Sequence, residues 1–223
     1  EAHGAHFHFS DYFPVSAAEL GADLVVQSFH KTLPALTQTA VLHVCSDRIN
    51  VGKIKRFMGI YPTSSPSYIL MASMDACMDR MNMTGKEMFA EFTSQLEKTR
   101  QRLMKCGHIR LITPEMINST SVFDFDRSKL LFSTVGTSIN GTELHRRLRN
   151  EFHIEMEMEA EKYVLGIASV GDSKEGMDRL CKAIEYIDTQ VETVPEKTEK
   201  NASYAKMKAF MTISQAMDAH QKR

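Results

Sequence analysis

The sequence predicts an α/β fold, and three observations carry that expectation. Short apolar runs such as Ala22-Asp23-Leu24-Val25-Val26 and Ala40-Val41-Leu42-His43-Val44 have the length of buried strands. Between and after them lie stretches with apolar residues at helical spacing, opened by Ser, Thr or Asn and closed by Gly. Hydrophobic residues make up 43% and charged residues 25%, the balance of a packed chain rather than a disordered one.

The totals narrow the function classes. At 223 residues the chain has room for one large domain, or a domain with a smaller partner. Formal net charge is -1 with no basic block, which argues against nucleic acid as a partner. No apolar run approaches the roughly 18 residues of a membrane span, so no membrane partner is expected either. The four cysteines, at positions 45, 77, 106 and 181, form no CxxC pair, and a reduced, cytoplasmic setting is the simplest reading.

Taken in order, residues 1–9 place small Ala2, Gly4 and Ala5 where a bulky group could approach the backbone. His3, His6 and His8 invite a metal reading, but His6 and His8 alternate with phenylalanines and no carboxylate or cysteine completes a zinc spacing; no metal is expected. Ser16 to Gly21 reads as a capped helical turn. The strand at 22–26 then delivers the chain to Gln27-Ser28-Phe29-His30-Lys31, followed by a hydroxyl-rich stretch to Thr39 and the second strand. A lysine at a strand end, three residues after a hydroxyl, suits a desolvated Schiff-base amine beside a phosphate site. From these five residues alone an ordinary surface lysine is the more economical reading.

Residues 46–61 carry Ile49, Ile54, Phe57 and Met58 at mostly helical spacing. In Thr63-Ser64-Ser65-Pro66-Ser67-Tyr68, Ser65 suits an N-cap and Pro66 the first helical position. Hydroxyls at a helix start could bind phosphate, or could simply cap. A methionine-rich helix follows, and Thr84-Gly85-Lys86-Glu87 reads as the capping box of a second helix ending near Gly107. Strands are expected at 109–112, 121–125, 130–135, 154–158 and 163–169. Asn140 opens one more helix, and Asp172-Ser173-Lys174-Glu175 another. The expected division is 1–118, then a small α/β subdomain at 119–189, then a linker and the start of a further region at 190–223.

Three motifs together resemble one family: Glu1-Ala-His-Gly-Ala-His, Ser28-Phe-His-Lys-Thr-Leu-Pro-Ala-Leu-Thr-Gln-Thr and Thr63-Ser-Ser-Pro-Ser-Tyr. In this order they look like the bacterial ornithine/lysine/arginine decarboxylases, pyridoxal-phosphate enzymes of the aspartate-aminotransferase fold. The likeness runs from residue 1 to about 188. It implies that residues 1–118 are the second half of a fold-type I large domain. It also implies that Lys31 carries pyridoxal 5'-phosphate as a Schiff base, that His30 lies against cofactor or substrate, and that Ser28 bonds the phosphate. Ala2 would pack on the cofactor ring and His3 would face its hydroxyl. Ser64 and Ser65 resemble the segment a neighbouring subunit adds to the phosphate site, implying a homodimer or larger assembly. Glu157 falls where the family has an acidic residue near the substrate channel. The substrate implied is arginine, lysine or ornithine.

The family's pyridine-pairing aspartate would immediately precede Glu1, and the phosphate loop would lie further upstream. The chain is therefore expected to be a fragment with half a site, inactive alone. Other readings are a pyridoxal-phosphate aminotransferase or desulfurase, and a non-catalytic dimerising module.

Overall fold

The structure, a computed structural model, describes residues 1–62, 65–116, 121–195, 209–213 and 215. The strands expected on either side of the Lys31 turn both form. β1 (Leu24–Ser28) and β2 (Ala40–Val44) pair antiparallel, from Leu24↔Val44 to Ser28↔Ala40. Lys31 lies three residues beyond this ladder, in the single turn α1 (Phe29–Thr32). α2 (Val51–Met58) follows, capped by Asn50, whose Oδ1 accepts the Lys53 N–H at 2.9 Å.

α3 (Tyr68–Leu103) runs unbroken for 36 residues where the sequence predicts two helices. The apparent capping box is not used: the Thr84 hydroxyl donates to the Arg80 carbonyl one turn back, at 3.2 Å. The reason lies in the buried stripe Cys77, Met81, Gly85, Phe89, Phe92, Leu96, which continues at three- and four-residue spacing straight through the glycine. A Cβ at Gly85 would stand 3.4 Å from the Phe9 ring, so the small residue is what lets the aromatic segment lie on the helix. Phe9 stacks on Phe89 at 5.0 Å, and Phe13 packs against Phe92. The N-cap of α3 is Ser67, accepting from the Leu70 N–H, rather than the Ser65 expected from Pro66.

A second sheet contains β3 (Arg110–Leu111), β4 (Lys129–Ser133), β5 (Met158–Ala160) and β6 (Tyr163–Ile167). Its order is β3-β4-β6-β5 and every pair is antiparallel. β3, before residue 118, thus pairs with β4 beyond it. α4 (Gly141–Phe152) packs on β5 and β6, and α5 (Lys174–Asp188) packs on α4 and α3. Asn140 caps α4 and Ser173 caps α5, close to the starts the sequence predicts. Gly141 faces the Ala160 and Tyr163 carbonyls so closely that no side chain fits there. The strand expected at 121–125 does not form. Val122 and Phe123 are exposed there, with no layer for their apolar side chains to cover. The strand expected at 154–158 begins only at Met158.

α5 is locked to α3 by charge, as well as to α4 through the core of Leu144, Leu148, Ile184 and Ile187. Arg102 of α3 bonds Glu185 and Asp178 of α5. Asp188, the last residue of α5, accepts three consecutive backbone N–H groups, from Gly107, His108 and Ile109, at 2.8, 2.9 and 2.6 Å. Removing that carboxylate leaves buried donors without partners. Asp188→Ala is therefore expected to cost about 3 kcal/mol, read from urea unfolding at neutral pH; a loss within a few tenths would reject this role.

Candidate active site

The Lys31 turn is held by burial on one side only. Phe29, Thr32 and Leu33 are buried, and the Leu33 N–H closes the turn on the Phe29 carbonyl at 2.9 Å. At helical spacing this leaves His30 and Lys31 on the opposite side. Pro34 then stops the helix: Leu33 before it is extended, the conformation favoured for a residue preceding proline. The Thr39 carbonyl accepts both the Phe29 N–H at 3.0 Å and His30 Nδ1 at 2.8 Å. A carbonyl can only accept, so Nδ1 carries the proton there and Nε2 is left outward.

Two sequence-distant groups meet this turn. Ala2 and His3 are exposed, and the Ala2 carbonyl accepts the Ser28 N–H at 3.0 Å, which fixes residues 1–3 beside the end of β1. From the second sheet, Glu157 reaches Lys31 with Oε1 3.5 Å from Nζ. The Glu157 N–H bonds the Leu165 carbonyl although Leu165 pairs with Met158, the one-residue offset of a β-bulge. Bulges re-aim side chains, and Glu157 and Glu159 accordingly serve different partners: Glu159 bonds His145 while Glu157 faces Lys31. Lys31 is partly buried, short of the full desolvation the sequence suggests. Its side chain is 30% exposed and faces a carboxylate.

Although its side chain is largely open, partial desolvation, followed by the charges of Lys31 and Lys129, holds His3 below the ordinary imidazole value, while Glu157 acts in the opposite sense. Of the predicted residues, Ala2, His3, Ser28, His30, Lys31 and Glu157 therefore share one region. Ser65 is exposed on the approach to α3, and Ser64 lies outside the described residues. The three early histidines diverge: His8 bonds Glu19 on the surface, His6 is buried against Phe7 and Phe13, and His3 lies beside Lys31.

The sequence reading missed a second cluster next to His3. Asp126 accepts the Ser128 N–H at 2.9 Å and Lys129 Nζ at 2.7 Å, and its Oδ1 faces His6 Nε2 at 3.4 Å. Lys129 Nζ also reaches Ser128 Oγ at 3.1 Å and the His3 carbonyl at 3.4 Å. Asp126 and its neighbours read as a plain polar turn, and no local pattern announces contacts made with residues 120 or more positions away.

A family model described as "Orn/Lys/Arg decarboxylase, major domain" matches residues 1–138. The chain belongs to this family. Arginine decarboxylase of Bacillus subtilis is 32% identical over 191 residues, spanning 86% of this chain and 39% of its own length. A second arginine decarboxylase, from Bacillus anthracis, is 31% identical over 185 residues, spanning 83% of this chain and 38% of its own length. The chain therefore spans well under half the length of the curated relatives it matches. Among solved structures, the constitutive lysine decarboxylase of E. coli superimposes with TM-score 0.69 over 85% of this chain and 32% of its own, at 16% identity. An alanine–glyoxylate aminotransferase from Nostoc superimposes with TM-score 0.56 over 78% of this chain and 50% of its own, at 17% identity. The fold is accordingly part of the fold-type I architecture that family members share with aminotransferases.

In this member of the family Asp126 is also expected to contribute to stability against acid. Burial would raise its carboxyl, but the His6 bond and the Lys129 charge outweigh that and hold it well below the usual carboxylate range. A depressed folded-state value contributes stability that is complete above the unfolded value of about 3.9 and is lost as pH falls below it. Asp126→Asn is expected to cost about 3 kcal/mol at pH 7 and progressively less below pH 4. Urea unfolding at pH 7 and pH 3 checks this, and an equal deficit at both would reject it.

Proposed function

We propose that this chain carries the lysine side of a pyridoxal 5'-phosphate site that decarboxylates a basic amino acid, arginine, lysine or ornithine. The observation that carries the reading is the Lys31–Glu157 pair, 3.5 Å apart, one residue in the turn after β1 and the other just before β5. Family membership and the relatives named arginine decarboxylase support the reaction class.

The residues present fit the cofactor. Lys31 offers a primary amine on a partly open turn, and Ser28, at the N-terminus of that turn, makes no side-chain capping bond that would occupy its hydroxyl. Ala2 is small and exposed beside them, leaving room for a flat ring. Lys31 would hold the group covalently, Ser28 would bond its phosphate, Ala2 would support the ring and His3 would face the ring hydroxyl. When bound, pyridoxal phosphate supplies an electron sink conjugated to the substrate nitrogen.

The protein's share is orientation and proton handling. Glu157 presents a carboxylate to the cationic side chain of the substrate once the Lys31 amine is otherwise engaged, which favours a basic amino acid by charge complementarity. His30, held through Nδ1 on Thr39, keeps Nε2 directed away from that anchor, where, once protonated to imidazolium, it or the Lys31 ammonium can give a proton to Cα. Keeping the Cα–carboxylate bond perpendicular to the ring selects decarboxylation over transamination. Ser64 and Ser65 would complete a neighbouring subunit's phosphate site, which makes the working form a homodimer or larger.

The test is borohydride reduction with pyridoxal phosphate followed by peptide mapping: label is expected on Lys31 and none in Lys31→Ala. In the protein carrying these residues, basic amino acids should release carbon dioxide. Keto-acid release instead would favour the aminotransferase reading that the Nostoc neighbour keeps open. Glu157→Gln is expected to raise KM for the basic substrate by about tenfold, with a smaller change in kcat. An unchanged KM would remove Glu157 from substrate recognition.

A further inference from the structure

The Lys129–Asp126 pair stands where the second sheet meets residues 1–3, apart from the groups assigned to cofactor or substrate. Its geometry is that of a clamp. The side chains of Lys129 and Asp126 are 17% and 11% exposed. Of the three donors on the Lys129 ammonium, one meets Asp126 Oδ2 at 2.7 Å and one meets Ser128 Oγ at 3.1 Å. The third reaches the His3 carbonyl at 3.4 Å. Asp126 is itself immobilised by the Ser128 N–H and by His6, whose ring is wedged between Phe7 and Phe13 at 4.9 and 4.4 Å. The clamp is backed from α3 as well: the buried Arg100 guanidinium bonds the carbonyls of Arg127 and Ile112, each at 3.1 Å.

Two successive carbonyls of the first segment are thus held by donors from two different elements. The Ser28 N–H at the end of β1 takes that of Ala2 at 3.0 Å, and Lys129 at the start of β4 takes that of His3. The peptide planes of Ala2 and His3 decide where the exposed Ala2 surface and the His3 ring lie relative to Lys31. An ammonium with its remaining donors satisfied by a carboxylate and a hydroxyl is a point of fixed geometry.

We propose that Lys129, oriented by Asp126, is a positioning residue of the Lys31 site that holds the Ala2–His3 segment in place. This rests on the reading of Lys31 as the cofactor amine. It adds a residue that touches neither cofactor nor substrate. The positive charge of Lys129 beside the imidazole also helps to keep His3 neutral.

The experiment uses the intact chain with Lys129→Met, Lys129→Arg and Lys129→Gln. Three quantities are followed: the His3 ring titration by NMR, assigned by its loss in His3→Gln; hydrogen exchange of the Gly4 amide; and affinity for pyridoxal phosphate. In Lys129→Met the His3 ring should titrate at higher pH, because a positive neighbour is gone. Gly4 exchange should quicken, and cofactor affinity should fall about tenfold, the equivalent of one charge-assisted hydrogen bond. Lys129→Arg should restore the titration. Unchanged His3 titration and Gly4 exchange in folded Lys129→Met overturn the proposal. If that variant does not fold, the same two readings on Lys129→Gln, which keeps a neutral donor, decide it. A wild-type chain that takes no cofactor at Lys31 would instead refute the function proposed above, and the His3 and Gly4 readings would still decide the role of Lys129.

Discussion

The placement of every group near Lys31 depends on one constraint, the unbroken buried stripe of α3. Near its start, Ser73 Oγ accepts the Leu36 N–H at 2.9 Å and so tethers the loop that follows Lys31. At its middle, Gly85 and Phe89 receive the aromatic segment that leads back to Ala2 and His3. Toward its end, Leu96 and Leu103 enter the shared core, and Arg102 pairs with α5. A break at residues 84–87 would uncouple the first of these from the last. At about 1.5 Å per residue, 36 helical residues span some 54 Å, enough for one rigid element to serve both sheets.

Rigidity of this kind suits chemistry in which bond orientation decides the outcome. The family members and the aminotransferases that share the fold illustrate how one scaffold hosts several reactions, with the difference residing in site geometry. In this chain the site is assembled at a seam. Lys31, Ser28 and His30 come from the β1–β2 unit, Glu157 and Lys129 from the second sheet, and Ala2 and His3 from a segment held by both. Charge is arranged with the same economy: Lys31 faces Glu157, Lys129 faces Asp126, and a neutral-leaning His3 lies among them.

Much of the scaffold was legible in the residues. Strand-length apolar runs on both sides of Lys31, the Asn140 cap and the Ser173 region each carry their signal within a few positions. The errors share a cause. Thr84-Gly85-Lys86-Glu87 has every local mark of a helix start, yet the stripe through Gly85 buries more apolar surface as one helix than two would. Residues 121–125 look like a strand but have no layer to cover, and β5 starts late because the chain at Glu157 carries an extra residue. Local propensity is a weak prior wherever packing has a stronger preference.

The sequence by itself determined the family, through motifs short enough to be read in place, and with it the expectation that Lys31 is the reactive amine. It also determined which elements can form, since periodicity and caps are local properties of the chain. The resemblance pointed to Glu157, but only the tertiary structure decided that it pairs with Lys31 while Glu155 and Glu159 turn to His145, and that Asp126, Lys129 and His6 form one cluster against His3. The physical reason is range. Helix and strand signals act over a few residues, whereas these contacts join positions separated by 120 or more and are set by how α3 and the second sheet pack.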